Sequence, residues 1–256
     1  MRPLLEAKQQ LQAEADYRQE AAWMQRYAEL LAGAEDFSLP AVHEDFSTTA
    51  ILAMDFMHGV PVESLAGAAQ PERDRVVSLL LALLFREIFE FRLVQTDPNF
   101  ANYQYDRAQQ RLILFDFGAT RAYPQSIVDG YRQLMLGALQ DDRAQMDAGA
   151  AAIGFFEDYI RPEQREAVLD VFQQGCEPLC HAGPYDFGSS QLAARIRDAG
   201  LRLSMEHEYW HTPPADALFL HRKLGGLYLL AARLRARVDV RRLFLEQLEA
   251  IAAQTA

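Results

Sequence analysis

With 256 residues, half of them hydrophobic and about a quarter charged, the chain has the apolar content of one large globular domain or of two lobes. A net charge of −11, with no stretch that concentrates Lys and Arg, argues against a surface that tracks a phosphate backbone, and nucleic acid is set aside. Only Cys176 and Cys180 occur, which excludes a disulfide framework and fits a reduced, intracellular setting. Two thiols without a further ligand cluster make a poor zinc site, and both are expected to pack as small hydrophobes.

Residues 1–22 are polar and rich in Gln, Glu and Ala, unlike a signal peptide. The longest apolar run, 76–85, is about half of what a bilayer span requires. A cytoplasmic protein is expected, with room left for a peripheral membrane contact. Residues 3–32 read as a long helix of good helix formers that stops at Gly33. Two strand-like runs follow, 40–46 and 49–57, and then the breakers of 57–61. Pro71, Glu72 and Asp74 mark the first turn of a second helix. Its continuation through Leu93 is apolar on nearly all faces, so this helix is expected to be buried.

Residues 95–122 lose the helical period, and the strand-like pieces 103–105 and 112–115 around a polar 106–111 predict a hairpin. The remainder reads as helices over 126–139, 143–153, 162–180, 190–203, 215–237 and 240–252. Breaks fall at Gly154, at Gly183-Pro184 and at Thr212-Pro213-Pro214. The expected fold is α+β and predominantly helical, a small β-containing piece on a large helical body with the hairpin at their junction.

The hairpin is flanked by chemistry. Asp97 is followed five residues later by Asn102, and Asp116-Phe117-Gly118 begins fourteen residues after that Asn. Phosphoryl transfer from ATP is positioning plus electrostatic stabilisation. Mg2+, a hard cation, takes one or two protein oxygens and completes its octahedron with phosphates and waters. Asn102 and Asp116 can each supply one oxygen, and Asp97 would stand where a hydroxyl or water approaches, as base or orienting group. The same Asp-x-x-x-x-Asn and Asp-Phe-Gly parts mark protein kinases. A second Asp-Phe-Gly, Asp186-Phe187-Gly188, lacks the upstream partner and the hairpin, and is read as a turn.

Four segments carry a closer resemblance: 14–21 (EADYRQEA), Gln95-Thr96-Asp97-Pro98-Asn99 with Asn102, 115–121 (FDFGATR) and 220–226 (LHRKLGG). Together they resemble the UbiB/AarF atypical kinases, which include the ADCK and COQ-type mitochondrial members, from about residue 10 to about residue 240. The resemblance implies a kinase-like C-lobe over 61–256 carrying the loops of 95–122, and a partial N-lobe over 1–60. It implies ATP and Mg2+ as cofactors, a nucleotide as partner, and a role in ubiquinone or prenyl-lipid biosynthesis near a membrane. Prenyl-lipid or quinone precursors and biosynthetic enzymes would be further partners. The family's Glu-x-Asp element matches Glu14 and Asp16. The carboxylate that would pair with the ATP-binding lysine is Glu20 or Glu14, and spacing does not choose between them.

Upstream of Glu14 there is no Gly- or Ala-rich phosphate loop, no lysine-bearing strand and no Lys-x-Gly-Gln element. The two lysines are Lys8, on the first helix, and Lys223, on a helix expected to pack in the C-lobe. A fragment of a longer protein, or a truncated variant with impaired nucleotide binding, is expected, with weak or no ATP turnover from the chain alone. The alternative function is a non-catalytic pseudokinase scaffold. His207-Glu208-Tyr209-Trp210-His211 spells the zinc-peptidase pattern, but Pro213 ends the continuous helix that this chemistry needs, so it is read as chance. Leu218, Phe219, Leu224, Leu227, Tyr228, Leu230 and Leu234 read as a core-facing stripe, and Gly225-Gly226 as a close helix–helix approach.

Overall fold

A computed structural model describes residues 16–156, 159–205 and 213–255. The first helix, α1 (Tyr17–Leu30), starts where the side chain of Asp16 accepts a hydrogen bond from the Arg18 amide, a regular N-cap. It buries Glu20, Met24 and Tyr27, one stripe at helical spacing. The earlier part of the predicted helix lies outside the described residues.

The two strand-like runs, 40–46 and 49–57, differ from expectation. Their only ladder pairing is an isolated bridge between Val42 and Met54, and a 3-10 turn occupies Glu44–Phe46. Ser47 diverts the backbone: its hydroxyl donates to the His43 carbonyl at 2.9 Å and accepts from the Ala53 amide at 3.0 Å. Such local side-chain bonds compete with a ladder. The strands that do form nearby are β1 (Phe37–Ser38) and β2 (Val60–Pro61).

Helix α2 (Gln70–Arg86) starts at the proline signal and is buried on most faces, including Leu79, Leu80, Leu81, Leu83, Leu84 and Phe85. A π-helical turn, Glu87–Phe91, prolongs it until Arg92 turns left-handed at φ 52°. Strand β3 (Leu93–Gln95) then enters the interior. The predicted hairpin is present as β4 (Tyr103–Asp106) and β5 (Arg111–Leu114), with Tyr103 opposite Leu114. One four-stranded sheet has the order β1-β5-β4-β2, with β1 parallel to β5 and the other pairs antiparallel. Strand β6 (Thr120–Ala122) pairs antiparallel with β3, which closes the loops on either side of the hairpin against each other.

The helical body comprises α3 (Gln125–Gln140), α4 (Arg143–Ile153), α5 (Pro162–Gly175), the short α6 (Glu177–Cys180), α7 (Leu192–Met205), α8 (Ala215–Arg233) and α9 (Val240–Thr255). Strands β7 (Tyr185–Asp186) and β8 (Arg237–Val238) pair antiparallel beside it. The predicted helix 162–180 breaks at Cys176, next to Pro178, whose missing N–H cannot continue the ladder. Helices α3 and α4 touch backbone to backbone: a Cβ at Gly149 would lie 2.6 Å from the Leu134 nitrogen and 2.7 Å from the Gly130 oxygen. On α9, Phe244 packs edge-on against Phe85 and Phe89, joining the last helix to the buried one. Among the described residues no helix is long and apolar enough to cross a membrane.

Candidate functional site

Because β3 and β6 pair, the segment after β3 lies against the segment before β6. Thr96 seals this junction, its amide and its hydroxyl both donating to the Ala119 carbonyl, at 3.2 and 2.6 Å. Asp97 then accepts from the Asn99 amide through Oδ1 and from Asn102 Nδ2 through Oδ2, at 3.3 and 2.8 Å. The side-chain bond from Asn102 leaves that residue's carbonyl oxygen to face another ligand. The Asn102 backbone oxygen accepts from Phe115 N at 2.9 Å, so the Asp-x-x-x-x-Asn loop and the Asp-Phe-Gly segment are laced together across the hairpin.

Asp116 sits in the left-handed region at φ 56°. Non-glycine residues adopt this conformation only where the surroundings impose it, and such sites concentrate where function is. Here the imposing contacts are identifiable. Gln95 Nε2 donates to the Asp116 carbonyl at 3.1 Å, the Gly118 amide donates to Asp116 Oδ1 at 3.3 Å, and the Phe117 amide donates to Glu20 Oε1 at 3.3 Å. The Phe117 ring is buried against Tyr27 of α1, with centroids 4.6 Å apart.

Asp97, Asp116 and Glu20 line one cavity of about 480 Å³, together with Tyr17, Thr96, Gly118, Ala119, Phe219 and Arg222. Burial, and then the charge of Asp116, raise the Glu20 carboxyl above its ordinary pKa, while its bond to the Phe117 amide acts the other way. Of the remaining predicted site residues, Asn102 is buried beside the cavity on Asp97, and Asp16 caps α1 and is not among the lining residues. Glu14 lies outside the described residues, as do Lys8 and the His207–His211 pattern. The second Asp-Phe-Gly is a turn at a different place: Asp186 accepts from the Gly188 and Ser189 amides and faces Arg237.

Comparison with known proteins bears on this geometry. The model of the ABC1 atypical kinase-like domain matches residues 2–149 of the chain. The chain belongs to the ABC1 atypical kinase-like family. Relatives include the mitochondrial atypical kinase COQ8B of Rattus norvegicus, 37% identical over 237 residues, covering 93% of this chain and 44% of the relative. The mitochondrial atypical kinase COQ8 of Saccharomyces cerevisiae is 31% identical over 243 residues, covering 94% of this chain and 48% of the relative. The chain thus spans less than half the length of either. Among solved structures, the Rv3197 protein of Mycobacterium tuberculosis, determined with erythromycin, superposes with a TM-score of 0.71 at 19% identity, over 93% of this chain and 59% of that one. This supports the α+β, kinase-like fold.

A buried polar chain behind the cavity was not foreseen. Glu87 accepts from Tyr27 and from the Gln95 amide through Oε1, at 2.9 and 3.2 Å, and from the Lys223 ammonium through Oε2. Gln95 in turn accepts from Tyr103 at 2.9 Å and donates to Asp116. The sequence carries part of the signal: Glu87 follows a long apolar run and Lys223 lies among apolar helix positions, and a charge buried on such a helix is seldom left unpaired. Two readings of α8 need correction. Leu218 is exposed and Phe219 lines the cavity, so the stripe is core-facing from Leu224, which packs against the core, through the buried Leu227, Tyr228 and Leu230 to Leu234. Gly226 meets a loop and not a second helix; a Cβ there would lie 3.0 Å from Pro98 Cβ, so this glycine lets α8 approach the Asp97 loop, while Gly225 faces open space. His221 packs on Phe155 and bonds to Tyr131 at 3.1 Å.

Proposed function

We propose that the chain is the nucleotide- and magnesium-handling part of an atypical kinase, an ATPase or phosphotransferase serving ubiquinone or related prenyl-lipid biosynthesis. The observation that carries this reading is the convergence of Asp97 and Asp116 on one cavity, with the Asn102 amide bonded to Asp97. The donor set suits Mg2+, which needs hard oxygens and only one or two from protein. Among the described residues no three His, Cys, Asp or Glu side chains converge as a closed metal cage, so a cation there would be shared with phosphate and water. When bound, Mg2+ neutralises charge on the phosphoryl oxygens.

In this reading Asn102 and Asp116 hold the cation, with Asn102 turned correctly by its own bond to Asp97. Asp97 accepts or orients the proton of the attacking hydroxyl or water. Glu20 fixes the Phe117 amide and offers its carboxylate to a lysine supplied from elsewhere in the protein. The Glu14-Asp16 element would serve nucleotide binding at the start of α1. A peripheral membrane contact and quinone-biosynthesis partners complete the proposal, with a cytoplasmic or membrane-surface location.

The alternative, a scaffold without turnover, is favoured by one observation. Lys223 is buried in its pair with Glu87, and it is the only lysine among the described residues. Phosphates then lack the usual lysine, and the chain alone is expected to turn ATP over weakly or not at all. A calorimetric titration of ATP with and without MgCl2 tests the main reading. Mg2+-dependent binding that Asp116→Asn removes supports it, and binding indifferent to Mg2+ defeats it. Binding without turnover, even when a lysine-bearing N-lobe is supplied, selects the scaffold.

A further inference from the structure

The cavity holds three carboxylates, Glu20, Asp97 and Asp116, and one cation among its described lining residues, Arg222. Its location is fixed by several contacts along α8. Arg121 pairs with Asp216 at the start of the helix at 2.9 Å, Tyr123 donates to the Asp216 carbonyl at 2.8 Å, Lys223 is locked on Glu87, and Gly226 rests on Pro98. The helix therefore reaches the cavity as a rigid element, which favours a pre-positioned side chain.

The two arginines near Phe219 differ. Arg121 lies over the ring at 4.5 Å and spends its charge on Asp216. Arg222 is exposed, approaches the same ring at 5.8 Å, and has no carboxylate partner among the described residues. An arginine fork without a carboxylate, at the wall of a cavity that also offers Mg2+ ligands, is matched by a phosphate, whose oxygens it can bind two at a time.

We infer that Arg222 binds the terminal phosphoryl group of the nucleotide, as the one cationic side chain among the described lining residues. This rests on the nucleotide reading above and goes beyond it in assigning the residue and the phosphate. Arg222 on α8 lines the same cavity as Asp97 and Asp116 of the metal-side loops, so a phosphoryl group held there would have the guanidinium and the loop carboxylates on one cavity wall or another. Charge on that group is largest at its oxygens, where a guanidinium is most effective.

The test is calorimetric titration of the full chain with MgATP, MgADP and adenosine, for wild type, Arg222→Gln and Arg222→Lys. A charge-assisted contact in a partly open cavity corresponds to roughly a tenfold change in affinity. The expected result is MgATP weakened about tenfold by Arg222→Gln, MgADP and adenosine little changed, partial recovery in Arg222→Lys, and an unaltered melting temperature for this exposed position. Equal weakening of MgATP and MgADP, or no weakening of either, overturns the assignment while the nucleotide reading stands. A wild type that binds no nucleotide in a Mg2+-dependent way overturns both.

Discussion

Removing the ammonium from the Lys223–Glu87 pair is the sharpest test of what holds the site. Both side chains are almost fully buried, at 3% and 1% exposure, so Lys223→Met leaves a carboxylate without a counter-ion in the interior. Breaking a buried pair by removing one partner costs about 3–5 kcal/mol. Glu87 keeps two donors, the Tyr27 hydroxyl and the Gln95 amide, and these offset part of the loss. The lower end, about 3 kcal/mol, is expected. Replacing both partners, in Lys223→Met with Glu87→Gln, removes the stranded charge, and should recover most of that loss because the positions are directly coupled. Urea denaturation at unchanged m-value measures all three variants. A single variant that costs less than about 1 kcal/mol, with the double no better, would refute the idea that the pair is energetically coupled.

Three further outcomes follow from particular contacts. Burial drives the His221 pKa down to about 4, so this imidazole resists protonation in the fold. Since its folded pKa lies below the unfolded value, its contribution is present above pH 6.5 and is lost as pH falls towards 4. Acid denaturation of wild type should therefore show up to about 3 kcal/mol of loss in that window that His221→Gln lacks, and equal acid profiles would contradict it. Gly149→Ala should destabilise by about 1–3 kcal/mol, because its Cβ meets backbone of α3. Gly200→Ala, on α7 with nothing within 4 Å, should stabilise by about 0.5–1 kcal/mol. Equal melting shifts for the two would refute the packing argument. Gln95→Leu removes the donor that holds the Asp116 backbone, and should weaken Mg2+-dependent nucleotide binding more than it lowers the melting temperature, as isothermal titration beside calorimetric melting would report.

Much of the fold was legible because helix signals were local. Pro71 and the acids behind it gave the start of α2, and the apolar run gave its burial. The hairpin emerged from two β-rich pieces around a polar turn, within a residue of its observed ends. What could not be read were features decided by tertiary partners or by a single side chain. Ser47 broke two expected strands through bonds to His43 and Ala53, and Arg92 ended a helix by going left-handed after a π-turn that no periodicity announces. At the site, the Asp-x-x-x-x-Asn spacing and the Asp-Phe-Gly beyond the hairpin are what single out Asp97, Asn102 and Asp116 in the sequence. That Glu20 and Arg222 line one cavity, and that Gln95 holds the Asp116 carbonyl, needed the packing of α1, α8 and β3, because residues that meet only across elements leave no common spacing in the chain. Glu20 and Glu14 were equal candidates by spacing; Glu20 lines the cavity, and Glu14 is outside the described residues.

The most direct measurement is isothermal titration of the chain with ATP over a series of Mg2+ concentrations, for wild type and Asp116→Asn in parallel. If the cavity lined by Asp97 and Asp116, with Asn102 bonded to Asp97 beside it, is a cation and phosphate site, wild-type affinity rises with Mg2+ and the variant's stays flat. If the two titrate alike, Asp97 and Asp116 share a cavity for some other reason, and the nucleotide reading is wrong.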